Sequence, residues 1–185
     1  MKAKLPNLVT NPTQIPRIKE LNHCVHRNCP IRKIFLKGKN FTSTTTQRRY
    51  HKNHVGNCTT QNLVYMLTCT ICQSQYVGQT KRQLKVRISE HLADICYKRD
   101  SPVAHHFNKA HHNHSVLRCE ILEVIKGDPE SNKSKSDRDL KEQFWIHQLQ
   151  TKHPNGINKR DWTYTHLSTY IIIYNQVKSL FQMYE

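Results

Sequence analysis

Apolar side chains are sparse in the first third of the chain and become periodic from about residue 62. Leu63-Val64-Tyr65-Met66-Leu67 is a short unbroken apolar run and predicts a buried strand. Cys69-Thr70-Ile71-Cys72 interrupts it, and Gln75-Tyr76-Val77-Gly78 predicts a second strand, giving a hairpin with the cysteine pair in its loop. Thr80 and Gln83 have the spacing of a capping box. Behind them Leu84, Ile88, Leu92 and Ile95 recur at helical spacing, which predicts an amphipathic helix to about Tyr97. The polar, His-rich stretch 98–116 reads as a loop, and Leu117 to Ile125, rich in β-formers, as a third strand. Gly127, Asp128 and Pro129 open a loop to Ser136, which with Asp139 gives a second helix-start signal. Leu140, Phe144, Trp145 and Leu149 carry that helix to about Thr151, where His153-Pro154-Asn155-Gly156 stops it. The order β-β-α-β-α predicts an α+β domain: a small three-stranded antiparallel sheet flanked by helices, without internal repeats.

The pattern divides the chain into a basic, loop-rich arm (1–60), an α+β domain (61–160) and a C-terminal extension (161–185). In the extension Leu167, Tyr170, Tyr174, Val177, Phe181 and Tyr184 suit a helix with one apolar face, while Ile171-Ile172-Ile173 also suits a strand. A docked helix, a partner interface and an aggregation-prone segment all fit. No run of about 18 apolar residues occurs, so no membrane-spanning helix is expected. The first residues lack an apolar core, so no secretory signal is expected and an intracellular location is.

Charge narrows the partners. The 185 residues carry 29 Lys and Arg against 13 Asp and Glu, a net charge of +16, and 36% of them are hydrophobic. That is below the ~45–50% of a globular domain, which places part of the chain outside the core. The arm holds 12 basic residues and one acid, Glu20. Clustered Lys and Arg neutralise phosphates, so a nucleic acid is the expected partner and Lys37, Lys39, Arg48, Arg49 and Lys52 the candidate contacts. A merely solvated leader has the same composition.

Seven cysteines without a secretion signal favour metal binding or reduced thiols over disulfides. Cys69 and Cys72 have the spacing of a zinc knuckle. His105, His106, His111, His112 and His114 crowd into ten residues nearby in sequence and could supply the other two ligands. Cys24, Cys29 and Cys58, with His23 or His26, could form a second site. Cys96 and Cys119 read as small buried residues. Arg87 and His91, four apart, project from one side of the first helix, and Glu142 is a carboxylate on the second.

Taken together, Leu63-Val64-Tyr65, Tyr76-Val77-Gly78, Arg87, His91, Glu142 and Asn158 resemble the GIY-YIG nuclease family. Both tyrosines and the last glycine of its two motifs are kept, and the first glycine is not. The stretches FTSTTTQRRY, NLVYMLTCTICQSQYVGQT, VAHHFNKAHH and EQFWIHQLQTKHPNGIN narrow the likeness to the endonuclease domain of Penelope-like retroelements, over roughly residues 22–160. The resemblance implies a DNA endonuclease that hydrolyses, and nicks, phosphodiester bonds, with a nuclear location. It implies catalytic roles for Tyr65, Tyr76, Arg87, His91, Glu142 and Asn158. Glu142 would bind Mg²⁺ or Mn²⁺, Arg87 the scissile phosphate, and Tyr65, its pKa lowered by nearby cations, would take a proton from the attacking water. Lys81 and Arg82 join Arg48, Arg49 and Lys52 as DNA contacts. The family pattern puts zinc on Cys69, Cys72, His106 and His112, with His105, His111 and His114 as rival ligands. The alternative is a catalytically inactive, zinc-stapled nucleic-acid-binding module derived from such an element.

Overall fold

The computed structural model describes residues 29–36, 38–52, 56–109 and 111–159, and the statements below concern these. Lys37, Cys24, His23, His26 and the 161–185 extension lie outside them. The elements are β1 (Asn40–Thr42), β2 (Arg49–His51), β3 (Leu63–Cys69), β4 (Gln75–Thr80), α1 (Leu84–Cys96), α2 (Pro102–Phe107), β5 (Leu117–Val124) and α3 (Asn132–Leu149). β3 lies between β4 and β5, antiparallel to both. The fold is therefore the expected α+β arrangement of a three-stranded antiparallel sheet flanked by helices.

The unbroken apolar run of β3 follows from burial on both faces. Leu63, Tyr65, Leu67 and Cys69 pack with Leu84, Ile88 and Ile95 of α1 and with Val103, Ala104 and Phe107 of α2. Val64 and Met66 point the other way, onto Phe144, Trp145, Ile146 and Leu149 of α3. A half-exposed antiparallel strand would alternate; a central strand covered by helices on both sides need not.

Three element boundaries differ from the sequence reading. Thr80 ends β4, and its hydroxyl closes a turn on Arg82 instead of capping α1; the helix starts at Leu84 after Gln83, without a side-chain cap. The stretch 98–116 is not all loop. Ser101 accepts from Ala104 N, Pro102 fills the first helical turn, and the short helix α2 buries Val103, Ala104, His106 and Phe107. α3 starts at Asn132, because Ser131, not Ser136, accepts from Ser134 N. The polar first turns of α3 masked that start, and Glu142 moves from near the helix N-terminus to mid-helix, away from the dipole end.

Residues 29–52 build no core of their own. They lend Cys29, Ile31, Ile34 and Phe35 to the α1 side and Phe41 to the α3 side. Leu36 N donates to Cys119 O and Cys119 N to Ile34 O, so the segment covers the open edge of β5. The β1–β2 hairpin then stacks Phe41 and Tyr50 on each other and sets both edge-on against Trp145. Lys52, expected to contact phosphate, is corrected by this packing: it is buried, with Nζ 2.6 Å from Glu120 of β5. Cys119 is buried as expected, and Cys96 is exposed instead. Among the described residues no helix is long and apolar enough to cross a membrane.

Candidate active site

The edge strand β4 organises the first group of polar residues. Tyr65 on β3 faces Gly78 on β4 in register. A β-carbon at Gly78 would lie 2.6 Å from the Tyr65 hydroxyl and 2.8 Å from the Tyr76 ring. Glycine there lets both tyrosine rings converge over the strand. The Tyr65 hydroxyl lies 2.7 Å from His91 Nε2, and Arg87 Nε donates to it at 3.2 Å. Tyr76 completes the cluster, its ring centroid 6.5 Å from Tyr65 and 5.7 Å from His91. Arg87 and His91 reach the same point because they sit one turn apart on α1.

Burial sets the protonation of this cluster. It raises the Tyr65 phenol well above its ordinary value, and neighbouring Tyr76 adds to the rise, while Arg87 opposes it. The expected lowering of this pKa is therefore corrected: in the free protein desolvation outweighs the cation. Tyr76 is pushed up to about 12 by burial and then by the Glu142 carboxylate. His91 falls to about 3, through burial and then the Arg87 charge, so it is neutral at physiological pH. In the His91 tautomer protonated at Nδ1, the Tyr65 hydroxyl donates to Nε2 while its oxygen accepts from Arg87 Nε–H. His91 Nδ1 is buried and meets no hydrogen-bond partner among the described residues.

Glu142 approaches from α3. Burial first and the Asp139 charge second raise its carboxyl to about 7, with Arg87 opposing. A half-buried carboxylate near the Tyr76 phenol is a hard oxygen donor, which fits a Mg²⁺-type ion that keeps several waters. Asn158 is placed differently from a reacting group. It is buried, accepts from Val77 N at 2.9 Å, donates to Val77 O at 2.8 Å and accepts from the Thr151 hydroxyl at 2.7 Å. It thus clamps the backbone of β4 between Tyr76 and Gly78.

Spacing on the sequence also understated one carboxylate. Glu90, one turn beyond Arg87, takes Arg87 Nη1 at 3.1 Å and Arg82 Nη2 at 2.6 Å. The i, i+3 spacing of Arg87 and Glu90 was the available signal. Of the other expected contacts, Lys39, Arg48 and Arg49 are exposed, and Lys81 is exposed and paired with Glu130 at 2.7 Å.

A second group gathers at the far end of the hairpin. One ligand atom from each of Cys69, Cys72, His106 and His112 lies within 4.8 Å of the others. Cys72 Sγ is 3.4 Å from His106 Nε2, and the two imidazoles stack at 4.9 Å. His112 Nδ1 lies 3.2 Å from the His106 carbonyl, the kind of bond that orients a ligating imidazole through its other nitrogen. Burial opposes ionisation of Cys72, but hydrogen bonds with the Ser74 hydroxyl and backbone bring its thiol down. His106 falls to about 4, by burial and then by the His112 and Lys109 charges, and so is neutral. Two sulfurs and two imidazole nitrogens at this separation fit tetrahedral zinc. His105, His111 and His114 are exposed, and His105 faces Asp100 instead. Among the described residues this is the one such group. Cys29 and Cys58 are buried in the core, and their proposed partners lie outside the described residues.

The family described as GIY-YIG catalytic domain matches residues 61–158. No curated protein matches. Two solved structures are similar. One is a mutant of the catalytic domain of intron endonuclease I-TevI, at 29% identity over 54% of this chain and 94% of that chain, with a TM-score of 0.43. The other is the catalytic domain of homing endonuclease I-TevI, at 24% identity over 53% and 97%, with a TM-score of 0.41.

Proposed function

Because this chain belongs to the GIY-YIG catalytic-domain family and carries a GIY-YIG-type nuclease domain, we propose that it nicks DNA by hydrolysing a phosphodiester bond. The observation that carries the reading is the hydrogen-bonded set of Tyr65, His91 and Arg87 beside Tyr76 and the Glu142 carboxylate. Glu142 is the residue that would hold Mg²⁺ or Mn²⁺. Such an ion, when bound, stabilises charge on the phosphate and on the leaving oxygen.

The chain's own groups divide the remaining work. Arg87 pairs with the scissile phosphate through the face of its guanidinium that Tyr65 does not use. Its Nε bond to Tyr65 fixes phosphate and phenol relative to each other. Tyr76, half-buried, orients the attacking water. Tyr65 accepts that water's proton as its own passes to neutral His91 Nε2. This relay explains how a phenol kept uncharged by burial can act as a base, because no phenolate accumulates. Asn158 acts through β4, holding the strand that carries Tyr76 and Gly78.

Zinc on Cys69, Cys72, His106 and His112 would staple the hairpin to α2 and brace the same sheet. The Cys and His set, at the far end of the hairpin that carries both tyrosines, supports descent from a Penelope-like retroelement, and with it chromosomal DNA as substrate and the nucleus as location. Exposed Lys39, Arg48 and Arg49, with Lys81 and Arg82, would follow the DNA backbone away from the scissile bond. On this reading residues 1–60 supply DNA contacts, 61–160 cleave, and 161–185 form a separate extension. A plasmid-nicking assay with Mg²⁺, comparing wild type with Arg87→Ala, tests it; equal rates would remove Arg87 from the chemistry.

A further inference from the structure

Glu90, which joins Arg82 to Arg87, has no part in the chemistry above. Arg82 Nη2 lies 2.6 Å from one Glu90 oxygen and 2.7 Å from the other, and Arg87 Nη1 lies 3.1 Å from the second. All three side chains are partly exposed, at 51%, 35% and 31% for Arg82, Glu90 and Arg87. Arg87 simultaneously keeps its Nε on Tyr65. A single carboxylate thus sits between two guanidiniums, one of which is bonded to Tyr65, leaving one positive charge over.

A carboxylate and a phosphodiester present the same face to a guanidinium: two oxygens sharing one negative charge. We infer that Glu90 is an internal placeholder for a DNA backbone phosphodiester, holding Arg82 and Arg87 in place until a phosphate displaces it. The inference rests on the proposed function, in which Arg87 contacts the phosphate. Two features make the exchange feasible. Solvent-exposed ion pairs are weak, so the carboxylate is released at little cost. Arg87 does not collapse when released, because Tyr65 still holds its Nε. Before DNA arrives, Glu90 offsets the repulsion between the two arginines and keeps them converged, so less ordering is left for binding. Glu90 is accordingly a positioning residue that acts through Arg82 and Arg87.

Salt-titrated binding of a fluorescein-labelled duplex and nicking kinetics test this with Glu90→Gln. Freeing one guanidinium adds up to ~0.9 to the slope of log K against log salt, which is about eightfold tighter binding at 0.1 M salt. KM should fall by a similar factor, and kcat should not rise. The gain should shrink in the Arg82→Ala background. Asp94→Asn removes the same charge from the same helix, where Asp94 pairs with Arg99 at 3.2 Å, and should gain far less. Glu90→Asp, whose carboxylate is too short to span both arginines, should fall between wild type and Glu90→Gln and covers the case in which the amide variant folds poorly. Glu90→Gln binding that is unchanged or weaker in a protein of unchanged melting temperature would overturn the placeholder. So would an equal gain in Asp94→Asn, or Glu90→Asp binding like wild type. If Arg87→Ala meanwhile loses nicking, only the placeholder falls; if Arg87→Ala nicks normally, the proposed function itself fails.

Discussion

Replacing Gly78 by alanine adds a single methyl group at the centre of the candidate active site. Its β-carbon would stand 2.6 Å from the Tyr65 hydroxyl, 2.7 Å from the same ring and 2.8 Å from the Tyr76 ring, where ordinary contact begins at 3.4 Å. Strand or phenol must therefore give way by about 0.8 Å. Tyr65 has no free space to move into: it is fully buried and tied to His91 at 2.7 Å and to Arg87 at 3.2 Å. Overpacking of this kind costs ~1–3 kcal/mol, which in a domain of this size lowers the melting temperature by roughly 5–15 °C. Displacing the phenol by most of an ångström should lower the nicking rate about 100-fold. Thermal melts and single-turnover nicking on a supercoiled plasmid measure both effects. Gly38→Ala is the control, since a β-carbon there meets only the Asn40 backbone, no nearer than 3.3 Å. A Gly78→Ala protein that melts with wild type and nicks within about threefold of it would refute the account of why glycine stands opposite Tyr65.

Four further outcomes follow from the geometry. Purified protein should carry one zinc per chain, released on chelation and absent from Cys72→Ser, with a lower melting temperature in both cases; metal analysis and thermal melts decide it. Lys52→Ala should destabilise by about 3 kcal/mol in denaturant melts, because it removes the ammonium 2.6 Å from the Glu120 carboxylate, a pair whose side chains are only 5% and 12% exposed. Arg48→Ala with Arg49→Ala should leave melting unchanged and lower the salt slope of DNA binding by up to ~1.8. The raised Glu142 pKa sets a pH dependence: the folded protein holds its proton up to about 7 while the unfolded chain releases it near 4.5, so metal-free stability falls as pH rises between those values. Glu142→Gln should therefore melt above wild type at pH 8 in chelator, with no difference at pH 4.

Much of this was legible because the chemistry-bearing residues sit on short-range periodicities. The apolar run 63–67 marked the central strand, and the spacing of Leu84, Ile88, Leu92 and Ile95 marked α1. Once those two elements were placed, Tyr65, Arg87 and His91 had to face one another. What was not legible depended on tertiary burial. The His-rich stretch looked like loop because its polar residues outnumber Val103, Ala104 and Phe107, the apolar residues that dock α2 together with buried His106. The basic arm looked detached because its few apolar residues, Ile31, Ile34, Phe35 and Phe41, are scattered across two cores. Lys52 reads as a phosphate contact in a run of charge, and only β5 packing reveals Glu120 beside it. The protonation of Tyr65 went the same way: a neighbouring arginine can be inferred from spacing, complete desolvation cannot.

The central claim is that this chain cleaves DNA through the Tyr65, Arg87 and Glu142 site. Plasmid nicking by wild type and Glu142→Ala, with Mg²⁺ and then Mn²⁺, tests it most directly when duplex affinity is measured alongside in chelator. The account predicts nicking by wild type, none by Glu142→Ala, and metal-free affinities within about twofold, since the lost carboxylate contributes no phosphate contact. A wild-type protein that binds the duplex yet leaves the plasmid supercoiled with either ion would contradict it, and would identify the chain as an inactive, zinc-stapled DNA-binding module.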